Sequence, residues 1–209
     1  DYAGLERLID HLVNGGVNYV VSMGTTGESV TLSKEEKHQL LAETIAFVRN
    51  RVPVVLGVGG NNTAEVIDTL SGFEMDGVDA ILSVSPYYNK PTQEGIYQHY
   101  KAIAQVSLRP IILYNVPGRT GSNMAAETTL RLARDFKNII AIKEASGNLG
   151  QIGTILKHRP KGFMVISGDD ALTLPIIALG GAGVISVVGN ALPSEFGSLV
   201  HAALKGDIV

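Results

Sequence analysis

Cysteine is absent from these 209 residues, which excludes disulfides, thiolate metal ligands and thiol nucleophiles. An excess of positive charge is missing too. Lys and Arg number 17 against 20 Asp and Glu, for a net charge of −3, so nothing electrostatic calls for nucleic acid or an anionic membrane as partner. No apolar run reaches the roughly 18 residues of a membrane span. The opening Asp1-Tyr2-Ala3-Gly4-Leu5-Glu6-Arg7 reads as an amphipathic helix rather than a signal peptide, and the expected location is the cytoplasm. No Gly-Lys-Ser/Thr follows a Gly-rich turn, and no Gly-x-Gly-x-x-Gly occurs, which removes both common nucleotide-phosphate signatures. The five histidines (His11, His38, His99, His158, His201) fall in helical segments without HxxxH or HExxH spacing, so no metal site and no metal-dependent chemistry is expected. Linkers, low-complexity stretches and charge blocks are lacking, and one domain over 1–209 is expected.

What is present is a 45% apolar, 18% charged chain with 24 glycines, a globular composition suited to strands feeding many tight turns. Seven β-branched apolar runs stand out: 19–23, 52–58, 80–84, 111–116, 139–143, 163–167 and 183–188. Their apolarity is continuous rather than alternating, which predicts parallel strands buried on both faces. Between them apolar residues recur at helical spacing, as in Leu5, Leu8, Ile9, Leu12 and Val13. Ser33-Lys34-Glu35-Glu36 has capping-box spacing, Asn62 starts a second helix, and Pro193 opens the last. Seven strands and eight alternating helices describe either a (β/α)8 TIM barrel lacking its first strand or an open doubly wound sheet. Eight helices without a dinucleotide turn favour the barrel.

In a parallel barrel the chemistry lies on the loops after the strands. Those loops carry Gly24-Thr25-Thr26-Gly27-Glu28, Gly59-Gly60-Asn61-Asn62, Ser85-Pro86-Tyr87-Tyr88-Asn89, Asn115-Val116-Pro117-Gly118-Arg119-Thr120, Glu144-Ala145-Ser146-Gly147 and Ser167-Gly168-Asp169-Asp170. Lys143 ends a strand whose neighbours are apolar. It either snorkels to solvent or pairs with Glu144, or it is a Schiff-base nucleophile, which must be an unprotonated amine. At an ordinary lysine pKa only about 1 in 2,500 is neutral at pH 7, and a desolvating interior lowering it by about 3 units raises that nearly a thousandfold. Tyr114, also at a strand end, is a core tyrosine or a proton carrier. Arg119 is a surface arginine or a carboxylate clamp. Thr25 and Thr26 form a turn, or offer hydroxyls to a substrate carboxylate. Asp169 and Asp170 could recruit a cation, but adjacent carboxylates at a helix start more often cap it.

Taken together, Gly24-Thr25-Thr26-Gly27-Glu28, Tyr114-Asn115-Val116-Pro117-Gly118-Arg119-Thr120 and Lys143-Glu144-Ala145-Ser146-Gly147 resemble the pyruvate-dependent class I aldolase superfamily. Within it, the chain is similar over essentially its whole length to the dihydrodipicolinate (4-hydroxy-tetrahydrodipicolinate) synthase family. Arg119 in its motif points there rather than to N-acetylneuraminate lyase. The resemblance implies a lyase of diaminopimelate and lysine biosynthesis that joins pyruvate, held on Lys143, to aspartate semialdehyde. Tyr114, Thr25 and Tyr88 would relay protons, Tyr88 from a neighbouring subunit of a homotetramer built as a dimer of dimers. Thr26, Arg119, Ile185 and Gly168 would bind substrate, with no cofactor beyond the covalent imine.

The resemblance also places a first strand ahead of Asp1 and a helical extension after Val209 in a longer chain. Ser29, Asn61, Glu65 and Tyr87 match positions that bind feedback lysine in sensitive members, while Lys34 and Lys37 stand where those members have histidines. Two ammonium groups would repel a cationic ligand, so weak feedback is expected. Other readings are a related Schiff-base aldolase for a sugar acid or another 2-keto acid, and a non-catalytic binding barrel.

Overall fold

The structure, a computed structural model, describes residues 1–207. Ile208 and Val209, the end of the expected domain, lie outside the described residues. Six strands form one parallel sheet in chain order: β1 (Val20–Ser22), β2 (Val54–Gly57), β3 (Ala80–Val84), β4 (Ile111–Asn115), β5 (Ile139–Glu144) and β6 (Met164–Ser167). The helices are α1 (Tyr2–Asn14), α2 (Lys34–Val48), α3 (Thr63–Gly72), α4 (Gln93–Val106), α5 (Pro117–Thr120), α6 (Ala126–Asp135), α7 (Leu149–His158), α8 (Thr173–Ala178) and α9 (Pro193–Lys205). Among the described residues the addition to the expected eight is α5, a single turn too short to show a hydrophobic period.

Local chemistry explains the element boundaries. The Ser33 hydroxyl accepts from the Glu36 N–H at 3.2 Å while the Glu36 carboxylate accepts from the Ser33 N–H at 2.7 Å, closing the capping box on α2. Asn62 caps α3 through the Ala64 N–H at 3.1 Å, and Pro193 occupies the first turn of α9.

The two faces of the sheet carry different cores. Ile81, Ile111, Leu113, Ile142 and Val165 face the helices, packing with Leu70, Tyr100, Ile103, Leu132 and Ile155. Val55, Leu82, Ile112, Tyr114, Ala141 and Ile166 line the opposite, inner face. The full burial of the first group and near-full burial of the second account for the unbroken apolar runs.

The seventh expected strand is corrected. Residues 183–188 make one parallel bridge, Ser167 to Val184, and then curl into a short 3-10 turn at Val188–Asn190. Gly183 sits at φ 142°, and beyond Ile185 the Asp170 carboxylate takes the N–H groups of Val187 and Val188, which a ladder would need. On its far side Val184 meets the Tyr19 hydroxyl, which donates to the Val184 carbonyl at 3.5 Å. Among the described residues no ladder joins β1 to β6, so the sheet is an open curl of six strands.

Close backbone approach at Gly57 sets where the chain leaves β1. A Cβ there would overlap the carbonyl oxygen of Met23, just ahead of the Gly24–Glu28 turn. Gly57→Ala is expected to cost about 2–4 kcal/mol, since the atoms that the added Cβ meets are backbone and cannot swing aside. Urea unfolding checks this, and an alanine variant as stable as the parent would refute the packing argument.

Candidate active site

A register irregularity places the central residue. Ile111 pairs with Ile139, but Ile112 pairs with Ala141, so β5 holds one extra residue opposite β4. Ile139 faces the helices, Ala141 the inner side and Ile142 the helices again. Lys143 is therefore turned inward and Glu144 outward. Strict alternation from Ile139 would have done the reverse.

Across the inner face Tyr114, Lys143 and Ile166 stand in register on β4, β5 and β6. The Lys143 Nζ lies 4.4 Å from the Tyr114 ring centroid, within cation–π range. Gly168 leaves room for the lysine stem: a Cβ there would come within 3.0 Å of Lys143 Cε and 2.7 Å of Ala145 Cβ. Burial lowers the Lys143 pKa to about 8, with Arg119 pushing the same way and Asp170 opposing. About one lysine in ten is then neutral at pH 7. The folded pKa lies below the unfolded one, so the penalty of about 3 kcal/mol is felt in full as pH falls through about 8. Burial raises the Tyr114 phenol, while a hydrogen bond with the Thr25 side chain and the Arg119 charge draw it back.

A cavity of about 470 Å³ is lined by Thr25, Tyr114 and Arg119, and also by Ser29, Lys37, Asn61, Glu65 and Tyr87, whereas Lys143 does not line it. Tyr114 touches both the cavity and the amine, and so stands between them.

The helix-facing side of the same strand ends carries a polar network. Glu144 is 0% exposed. Its carboxylate accepts from Asn115 Nδ2 at 2.9 Å, the Ser146 N–H at 3.1 Å and Gln151 Nε2 at 2.8 Å. Asn115 in turn donates to Asn123 Oδ1 at 2.8 Å and accepts from the Met124 N–H at 3.0 Å. Burial raises the Glu144 pKa and these donors oppose the shift. The loops after β4 and β5 are thereby tied together behind Tyr114 and Lys143.

The dihydrodipicolinate synthetase family model matches residues 1–209. The chain belongs to that family. It is 58% identical over 207 residues to the 4-hydroxy-tetrahydrodipicolinate synthase of Parabacteroides distasonis, covering 99% of this chain and 70% of that relative. A solved dihydrodipicolinate synthase from Aquifex aeolicus superposes with a TM-score of 0.96 at 43% identity, covering 99% of this chain and 71% of that one. A structure described as the first monomeric dihydrodipicolinate synthase variant matches with the same TM-score at 41% identity, covering 99% and 70%.

Of the family residues expected from the sequence, the structure brings Lys143, Tyr114, Thr25, Arg119 and Gly168 together. Arg119 is exposed on α5 and lines the cavity. Gly168 spends its N–H on the Glu144 carbonyl at 2.8 Å, which leaves only its own carbonyl for a ligand. Ile185 lies on the 183–188 segment, its N–H bonded to the Ser167 carbonyl at 2.9 Å. Thr26 is exposed in the 3-10 turn Thr25–Gly27. Tyr88 is 86% exposed at φ 71° and does not line the cavity.

Three expectations change. Glu144 is no ion partner for Lys143, because the two residues face opposite sides of β5. Lys37 lines the cavity but Lys34 does not. Asp169 and Asp170 divide their work: Asp169 Oδ1 accepts from the nearby Ala171 N–H at 2.9 Å, whereas Asp170 reaches residues 187–188. The Asn115–Glu144–Gln151 network was missed. Its signal is an Asn and a Glu at matching strand ends, legible only once the bulge is known.

Gly168→Ala is expected to push Lys143 from its place and slow any reaction of its amine with a ketone at least about tenfold, at about 1–3 kcal/mol of stability. Imine trapping and chemical unfolding on the same protein check both. Unchanged trapping would show that Gly168 does not set the lysine's position.

Proposed function

We propose that this chain condenses pyruvate with L-aspartate 4-semialdehyde to give 4-hydroxy-tetrahydrodipicolinate, through an imine on Lys143. The carrying observation is a part-buried lysine with a pKa of about 8 in register with a tyrosine at the sheet's C-terminal end. Two relatives at 58% identity bear the synthase name. The described sheet then supplies six strands of a (β/α)8 barrel working in the cytoplasm on small molecules.

The neutral amine adds to C2 of pyruvate. Two proton transfers release the ketone oxygen as water, leaving a cationic imine. Loss of a C3 proton gives the enamine, whose C3 bonds to the aldehyde carbon while that oxygen takes a proton. The adduct then cyclises and Lys143 is freed. Tyr114 is placed to pass the protons, because its hydroxyl is linked to Thr25 and its ring covers the amine. Thr26 would hold the pyruvate carboxylate, the Ile185 and Gly168 carbonyls would face the bound substrate, and Arg119 would grip the semialdehyde carboxylate. The imine itself activates the ketone, so the reaction as written uses no metal or organic cofactor.

Tyr88 supports assembly. An aromatic side chain left exposed in the left-handed region calls for a surface that holds it, and a second copy in a dimer of dimers would carry it into the relay.

Borohydride reduction with pyruvate, followed by peptide mapping, tests the mechanism. A reduced pyruvyl adduct on Lys143 is expected, with a trapping rate that rises with pH through about 8 as the amine loses its proton. Folded protein without an adduct would sink the imine. Arg119→Ala should raise KM for the semialdehyde about tenfold or more and leave trapping intact. Equal turnover of N-acetylneuraminate or 2-keto-3-deoxygluconate would favour a related aldolase.

Lys37 bears on regulation. It lines the cavity, and its positive charge disfavours a cationic amino acid there. Millimolar L-lysine is expected to leave turnover unchanged, and submillimolar inhibition would overturn this.

A further inference from the structure

Asp170, on the loop after β6, uses its two carboxylate oxygens differently. Its Oδ2 accepts from the Val187 N–H at 3.0 Å and the Val188 N–H at 2.8 Å, across 17 and 18 residues of chain. Its Oδ1 is buried and finds no hydrogen-bond partner among the described residues. A buried carboxylate oxygen left unpaired costs free energy, and such a cost persists where the charge is used. The loop geometry indicates what it is used on. Ile166 stands in register with Lys143, Gly168 packs on the lysine stem, and Asp170 follows two residues later.

We infer that Asp170 is a positioning residue for the imine chemistry: one oxygen fastens the turn that carries Ile185, and the other offers its negative charge to the Lys143 nitrogen. This rests on the Schiff-base reading above. The Val187–Val188 turn has no strand to hold it, and Ile185 precedes it by two residues. Asp170 and the Ser167 carbonyl together pin the 183–188 segment from both ends.

The second task concerns charge. The nitrogen of Lys143 is neutral when it attacks and cationic once the imine has formed. An anion nearby favours the imine over the amine, and so drives loss of water from the preceding adduct. Three charged or titratable groups act on Lys143: the Tyr114 ring lies 4.4 Å from its Nζ, Asp170 favours its proton and Arg119 disfavours it. Glu144 is turned to the other side of β5 and spent on its own donors. Arg119 opposes the cation, which leaves Asp170 as its counter-charge.

Asp170→Asn separates the tasks, since the amide oxygen still accepts the two N–H bonds while the charge is gone. Asp170→Ala removes both. Trace acetylation of Lys143 with acetic anhydride, quantified on its peptide from neutral to alkaline pH, reads the amine directly and needs no pyruvate. The midpoint is expected to fall by about one pH unit in both variants, because a cation without its anion gives up its proton sooner. An unchanged midpoint in Asp170→Asn would overturn the electrostatic role, leaving a plain loop cap. Amide hydrogen exchange at Val187 and Val188 should quicken about tenfold or more in Asp170→Ala only, and full protection there would overturn the fastening role. The Asn variant keeps the charge test in force even where Ala impairs folding. Borohydride trapping on the parent protein decides the Schiff-base reading separately, so failure of one is not mistaken for failure of the other.

Discussion

The extra residue in β5 is the constraint on which the site depends. A strand has two faces and a period of two, so a single inserted residue exchanges them for everything downstream. Here it turns Lys143 to the inner face beside Tyr114 and sends Glu144 to the helix-covered face. Without it the amine would lie among the helix-facing apolar residues and the carboxylate would turn to the inner face, so no amine would stand beside Tyr114. The extra residue is Ile140, which is half-buried and packs against the inner-face cluster.

Electrostatics on the two faces follow from that division. Outward, Glu144 is enclosed and receives three donors, which lets a buried carboxylate tie two loops together rather than disrupt them. Inward, Lys143 is part-buried with fewer compensations, and its pKa falls to about 8. A fully paired lysine would hold its proton and be inert. A wholly unpaired one would lose it. Burial, tempered by Asp170 and assisted by Arg119, leaves the amine between these limits.

Much of this was legible in the sequence, and the reasons are physical. Six strands and the helix caps were readable because parallel strands buried on both faces give unbroken apolar runs, and because Ser33, Asn62 and Pro193 act through local bonds. Residues that share chemistry at strand ends, such as Tyr114 and Lys143, were readable from their loops and from family resemblance. What was hidden depends on register or on distant partners. The bulge leaves no mark in Ile139-Ile140-Ala141-Ile142, since every residue there is apolar. The bonds of Asp170 join positions 17 and 18 apart. The run 183–188 looked like a strand by composition, but ladder formation needs backbone donors that Asp170 takes from Val187 and Val188.

Backbone strain bears on how the site is completed. Met23, Glu28, Tyr88 and Lys90 are non-glycine residues at positive φ, and all lie on loops after β1 and β3. Each costs of order 1 kcal/mol or more and survives only where surrounding structure determines it. For Met23 the surroundings are present: it is buried, with Gly57 giving way beside it. The Tyr88 N–H donates to the Thr120 carbonyl at 3.3 Å, while its ring stands in the open. Buried packing thus supports the strain at Met23, whereas at Tyr88 one backbone bond supports it and the aromatic ring is left at the surface.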